Sequence, residues 1–128
     1  MSKTMETFRL VRDKCDVYSG EDALNLPILL CGGAGVISVL SNVVPAKVKE
    51  LCTLAQEGKI AEAIALNDAL LPLANACFVE VNPIPVKEAM NILGFNAGTP
   101  RAPLTKIEDC NREKLLTAMR NFGLECKA

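Results

Sequence analysis

Six cysteines, two pairs of neighbouring carboxylates, a lysine close behind two prolines and one glycine-rich run are the places where this 128-residue chain could do chemistry. It has no histidine. That excludes the Ser-His-Asp triad, the Cys-His dyad, histidine metal clusters and imidazole acid-base steps, leaving carboxylate, lysine, tyrosine, cysteine, backbone or a cofactor. The cysteines, at positions 15, 31, 52, 77, 110 and 126, form no C-x-x-C and no spacing short enough to clamp zinc, so no metal site is expected. They lie in apolar, helix-patterned stretches and read as small core residues of a reduced, cytoplasmic protein.

Gly32-Gly33-Ala34-Gly35 invites a phosphate-loop reading. A dinucleotide fingerprint, however, sets its glycines after a strand and at the opening of a helix. Here they follow a helix pattern and precede a strand pattern, and Ser38 stands where a third glycine would be. A helix-to-strand turn is the better reading. Glu21-Asp22 and Glu108-Asp109 are candidate acid-base pairs, but sequence neighbours on a helix do not face one another, and acidic residues at a helix start favour the dipole. Capping is their expected role. Lys87 could be a Schiff-base lysine, since a desolvated amine attacks carbonyl carbon. It opens an amphipathic helix expected to be remote from any strand end, which favours a structural or surface role.

The elements that must position these residues follow from periodicity. Met5, Phe8, Val11 and Arg12 predict a helix over 4–14. Asp16–Ser19 reads as a strand, 22–31 as a helix stopped by Gly32-Gly33, and Val36–Val39 as a second, mostly apolar strand. Strand, helix and strand in so short a span form a parallel βαβ unit. Everything later is helical. Val48, Leu51, Cys52 and Ala55 make one stripe from Pro45 to Gly58, and Ile60, Ala63, Ile64, Leu70, Leu71, Ala74 and Phe78 a longer one with a kink near Pro72. Val86, Ala89, Met90 and Leu93 define a helix ending at Gly94, and Leu115, Leu116 and Met119 a last one stopped by Gly123, after an irregular stretch over 96–106.

With 14 basic against 15 acidic side chains, the chain has no excess charge for neutralising phosphates, so nucleic acid and anionic membrane are not expected partners. The longest apolar run, Leu26 to Leu40, is broken by Pro27 and three glycines and is shorter than the roughly 20 residues of a membrane span. Charges in the first nine residues leave no apolar signal core, and no secretory route is expected. Two parallel strands cannot bury two apolar faces by themselves. The pattern is that of the end of something longer.

Several ordered motifs carry a resemblance: Ser19-Gly20-Glu21-Asp22, Gly32-Gly33-Ala34-Gly35-Val36-Ile37-Ser38-Val39, Asn42-Val43, Phe78 to Lys87 with its N-P-I-P-V-K, and Arg101-Ala102-Pro103-Leu104-Thr105. Together they resemble the C-terminal half of the dihydrodipicolinate synthase family, over essentially the whole chain from Met5. N-acetylneuraminate lyase and other pyruvate-dependent class I aldolases share the S-G-x-D and G-x-I-S elements. The N-P-I-P-V-K and R-x-P-L-T stretches favour the synthase.

The resemblance implies an α/β fold: the C-terminal portion of a (β/α)8 TIM barrel, its last two parallel strands and their helices, plus a C-terminal helical extension. As an isolated chain this is mostly helical. Residues 1–44 would be partial barrel, and 45–128 the last barrel helix and the extension. A whole barrel needs about 250 residues. The implied activity is a lyase-type condensation of pyruvate with aspartate semialdehyde to 4-hydroxy-tetrahydrodipicolinate, on the diaminopimelate route to lysine. It runs through a lysine Schiff base, usually in a homotetramer, and uses no cofactor.

Two residues match family positions that bind substrate. Ile37 matches the isoleucine whose main-chain carbonyl lies beside the pyruvate adduct at the end of the last barrel strand. Gly20 matches the glycine ending the preceding strand, where backbone approaches the ligand closely. No catalytic residue is matched: aligning Ser2 with the family's K-E-A-S-G-like stretch puts the Schiff-base lysine ahead of Met1, so a truncated, inactive chain is expected. Lys3 should lie past the strand end, and Val81 stands where the family commonly has proline. Two other readings are a non-catalytic half-barrel that oligomerises or complements a partner half-barrel, and an unrelated small helical protein.

Overall fold

A computed structural model describes residues 2–12 and 14–127. Helix α1 (Ser2–Val11) buries one side chain, Phe8, over whose ring the Arg12 guanidinium sits at 5.5 Å. Strand β1 (Tyr18–Ser19) follows, then a 3-10 turn at Asp22–Leu24 that runs into α2 (Asn25–Leu30). Pro27 falls in the first turn of α2, where a missing N–H costs no intrahelical bond. Gly32, at φ +97°, turns the chain out of the helix. Gly33 lies so close to the last helical turn that an added Cβ would stand 2.8 Å from the Ile28 carbonyl oxygen. The glycine run is therefore a helix-to-strand turn, as its context implied.

Strand β2 (Gly35–Val36) pairs with β1 in parallel, Tyr18 opposite Gly35 and Ser19 opposite Val36. The expected βαβ unit is present, but its strands are two residues long where four were expected. Each strand has a single neighbour, so one edge of each carries no ladder. Bonds from Ala34 N to Val17 O (2.8 Å) and from Ile37 N to Ser19 O (2.7 Å) flank the paired residues.

A 3-10 turn at Leu40–Asn42 leads to α3 (Pro45–Gln56), α4 (Ile60–Ala76), α5 (Ile84–Ile92) and α6 (Asp109–Asn121). Helix α3 packs on α2 and α4, and α6 on α4 and α5. Leu26, Leu40, Val43 and Val44 share one core with Leu51, Leu73, Ile92, Leu115 and Met119, so the βαβ segment and the helices are cemented together.

Three expectations fail. Of the six cysteines only Cys77 is buried; Cys15 and Cys110 are exposed, and the others are half-buried. Ile60, Ile64 and Phe78 face outward. Helix α4 is apolar nearly all round, and its neighbours cover only the face of Ala63, Leu70, Leu73 and Ala74. Pro72 sits on its exposed side, inside one continuous helix. Finally, Glu21 and Glu108 stand at the N-cap positions and Asp22 and Asp109 in the first turns, as expected, but neither glutamate makes a side-chain cap bond. The start of α6 is held instead by Glu80, whose Oε1 accepts from the Glu108 amide (2.8 Å) and from Asn111 Nδ2 (3.1 Å).

Candidate functional site

Because β1 and β2 are parallel, the residues that leave them, Gly20 and Ile37, emerge at the same carboxyl end. That end is where parallel α/β architectures build their sites from loops. A cavity of about 680 Å³ opens there, with Gly20, Ile37, Ser38, Asn42, Asn82 and Lys87 in its wall. The two residues matched by family resemblance thus line one cavity. Ile37 is 73% exposed, and a Cβ on Gly20 would meet nothing within 4 Å. Among the described residues, no neighbour requires glycine at that position.

Lys87 corrects the sequence reading. It is not remote from the strand ends: with Asn82, Pro83 and Val86 it lines the cavity that opens there. Its Nζ donates to the Ala97 carbonyl. One turn further along α5, Asn91 brackets the same loop: its Oδ1 accepts from Ala97 N (2.9 Å) and its Nδ2 donates to Gly98 O (3.0 Å). A second cavity, of about 350 Å³, lies beyond this loop, and there Arg112 Nε meets Glu88 Oε1 at 2.7 Å.

Asp22 also departs from its expected role. It is buried, and its carboxylate accepts from three donors: Asn25 Nδ2 (2.9 Å) and the Ser38 hydroxyl at Oδ1, and the Leu40 amide (3.0 Å) at Oδ2. Ser38 Oγ in turn accepts from Ser41 N (3.0 Å). The sequence carried a signal for this pair, since S-G-x-D ends on Asp22 and G-x-I-S ends on Ser38.

Burial above all, and then the negative charge of Asp22, push the Cys77 thiol up to about 12. It is a neutral core group and no nucleophile at neutral pH. Among the described residues no cluster of three His, Cys, Asp or Glu could hold a metal ion, and no helix is long and apolar enough to cross a membrane.

The model of the Dihydrodipicolinate synthetase family matches residues 1–121. The chain belongs to that family. A 4-hydroxy-tetrahydrodipicolinate synthase of Caldicellulosiruptor bescii is 49% identical over 112 residues, which are 88% of this chain and 38% of the relative. The crystal structure of dihydrodipicolinate synthase from Aquifex aeolicus superposes with a TM-score of 0.92 at 37% identity, covering 99% of this chain and 43% of the other. The enzyme of Acinetobacter baumannii, solved with pyruvate, superposes with a TM-score of 0.90 at 34% identity, covering 94% and 42%. The chain therefore spans about two fifths of the length of the synthases it matches.

Synthase family membership gives the lone two-stranded sheet its context. A relative that contains this fold within a chain more than twice as long has further polypeptide to set against the open strand edges.

Proposed function

We propose that this chain supplies the closing part of the barrel of a 4-hydroxy-tetrahydrodipicolinate synthase, with residues 1–44 as the last two βα strands and 45–128 as the final barrel helix and extension. The observation that carries this reading is the convergence of Gly20 and Ile37 on one cavity at the carboxyl end of parallel strands. The placement at the end of the barrel draws on the absence of any strand after Val36 among the described residues. The opening two fifths of a barrel would continue to alternate strand and helix instead.

In this reading Ile37 and Gly20 present backbone to pyruvate, and aspartate semialdehyde is the second substrate, in the cytoplasm. The Schiff-base amine comes from polypeptide outside these 128 residues. Without that amine no imine forms, and without the imine there is no enamine nucleophile. The 128-residue chain alone is therefore inactive.

Borohydride reduction in the presence of pyruvate tests this. The isolated chain should gain no reduced pyruvyl group by mass spectrometry. Mixed with or fused to the first six βα units of the Caldicellulosiruptor bescii relative, it should yield an adduct on a lysine of the added segment. An adduct on any lysine of the 128-residue chain would overturn the reading.

The half-barrel interaction reading keeps a specific support: Tyr18 and Ile37, on and just beyond the open strands, Leu30 on α2, and Met5 and Leu10 on α1 are all exposed apolar groups. Light scattering separates the cases. A strictly monomeric chain that binds no complementary segment excludes both self-association into a homo-oligomer and partner capture.

A further inference from the structure

Asp22 is a carboxylate 7% exposed, and among the described residues no lysine or arginine forms an ion pair with it. Burying an unpaired charge is unfavourable unless hydrogen bonds replace its hydration. Three donors do so, two of them from the segment leaving β2. Charge-assisted bonds of this kind are roughly twice as strong as neutral ones.

Their location matters more than their number. The last bond between the two strands is Ile37 N to Ser19 O. Beyond it, the backbone from Ile37 to Val39 has no strand partner among the described residues, yet Ile37, Ser38 and Val39 all line the cavity. Asp22 takes over where the ladder stops. It stands two residues past Gly20, and it grips Ser38, directly after Ile37, and the Leu40 amide. Ser38 is held a second time, through the bond its Oγ accepts from Ser41 N and the bond its carbonyl accepts from Ser41 Oγ (2.6 Å).

We infer that Asp22 is the positioning residue of the site: acting through Ser38 and the Leu40 amide, it fixes the Ile37–Ser38 peptide, and with it the Ile37 carbonyl, relative to Gly20. It touches no reacting atom in this role. The inference rests on the reading of Gly20 and Ile37 as pyruvate-facing backbone, and its test has one arm independent of that reading.

In the first arm, amide hydrogen exchange is measured by NMR on the 128-residue chain and its variants. Asp22→Asn and Ser38→Ala should each speed exchange at Ile37 and Leu40 by roughly tenfold or more, the loss expected for one charge-assisted bond. Exchange at Leu115 and Leu116 should not move, and Ser38→Thr, which keeps the hydroxyl, should restore slow exchange. Unchanged exchange at Ile37 in Ser38→Ala overturns the inference, and that variant keeps the test open if Asp22→Asn does not fold.

In the second arm the variants enter the barrel reconstituted with the first six βα units. Ser38→Ala should lower kcat by roughly tenfold with a smaller change in KM for pyruvate, and Ser38→Thr should recover most of the loss. Equal kcat for Ser38→Ala and the parent also overturns it. If the parent reconstituted barrel makes no pyruvate adduct, the proposed function fails, while the exchange arm still decides the role of Asp22.

Discussion

Lys87 Nζ donates to the carbonyl of Ala97, tying the first turn of α5 to the irregular segment that follows the helix. With Asn91 on the same face, one turn on, the helix grips two consecutive loop residues. This clamp makes Ala97 part of the wall of the cavity at the strand ends.

Replacing Lys87 with Met keeps the aliphatic stem and removes the donor. The chain should lose on the order of 1 kcal/mol of stability, the worth of a partly exposed charged hydrogen bond. Urea unfolding should show a lower midpoint with an unchanged slope. Limited proteolysis should move into the segment 95–107.

The ion pair of Arg112 with Glu88 joins α6 to α5 and is only partly exposed, at 34% and 24% of the side chains. A double-mutant cycle with Arg112→Met and Glu88→Gln should give a coupling of about 0.5–1 kcal/mol that shrinks in high salt. A coupling of zero would mean that solvent screens the pair completely.

Two glycines should respond oppositely to alanine. Gly33→Ala forces a Cβ to 2.8 Å from the Ile28 carbonyl oxygen, which is backbone and cannot swing aside. A loss of roughly 1–3 kcal/mol is expected by thermal or urea unfolding. Gly20→Ala meets nothing, so the isolated chain should keep its stability to within about 0.5 kcal/mol. In the reconstituted barrel the same change should weaken pyruvate use, because its Cβ enters the space assigned to ligand.

Cys77 sets an alkaline limit. Its thiol ionises in the fold at about 12, against an ordinary value of 9.0. Between those values the unfolded chain has released the proton and the native chain still holds it. The contribution is complete below the lower value and is lost as pH rises, by at most about 1.4 kcal/mol per pH unit. Comparing urea unfolding of the parent and Cys77→Ala at about pH 8 and about pH 10 should show the gap between them narrowing at the higher pH.

Periodicity located α3 to α6, because the core is built on one face of each: Leu115, Leu116 and Met119 are inward as their spacing requires. The acidic pair and the glycine stop bracketed α2. Periodicity over-assigned α4, whose outer isoleucines look the same in sequence as its inner residues. The parallel pairing of the two strands was readable from the short strand, helix, strand order, and Gly32 as the exit from the helix between them. The motifs told the family, and they singled out Gly20 and Ile37, which line one cavity.

What tertiary structure alone decided is where polar side chains point once distant segments meet. Asp22 looked like a helix-start carboxylate because local rules see only its own turn, whereas its partners Ser38 and Leu40 are 16 and 18 residues away. Lys87 looked remote from the strands because α3, α4 and a proline turn separate them in sequence, and folding brings its helix over their ends. Spacing along the chain determines helices, strands and their buried faces, since these depend on local repeat. Hydrogen bonds between exits of separate elements depend on how those elements pack, and only the folded chain contains that information.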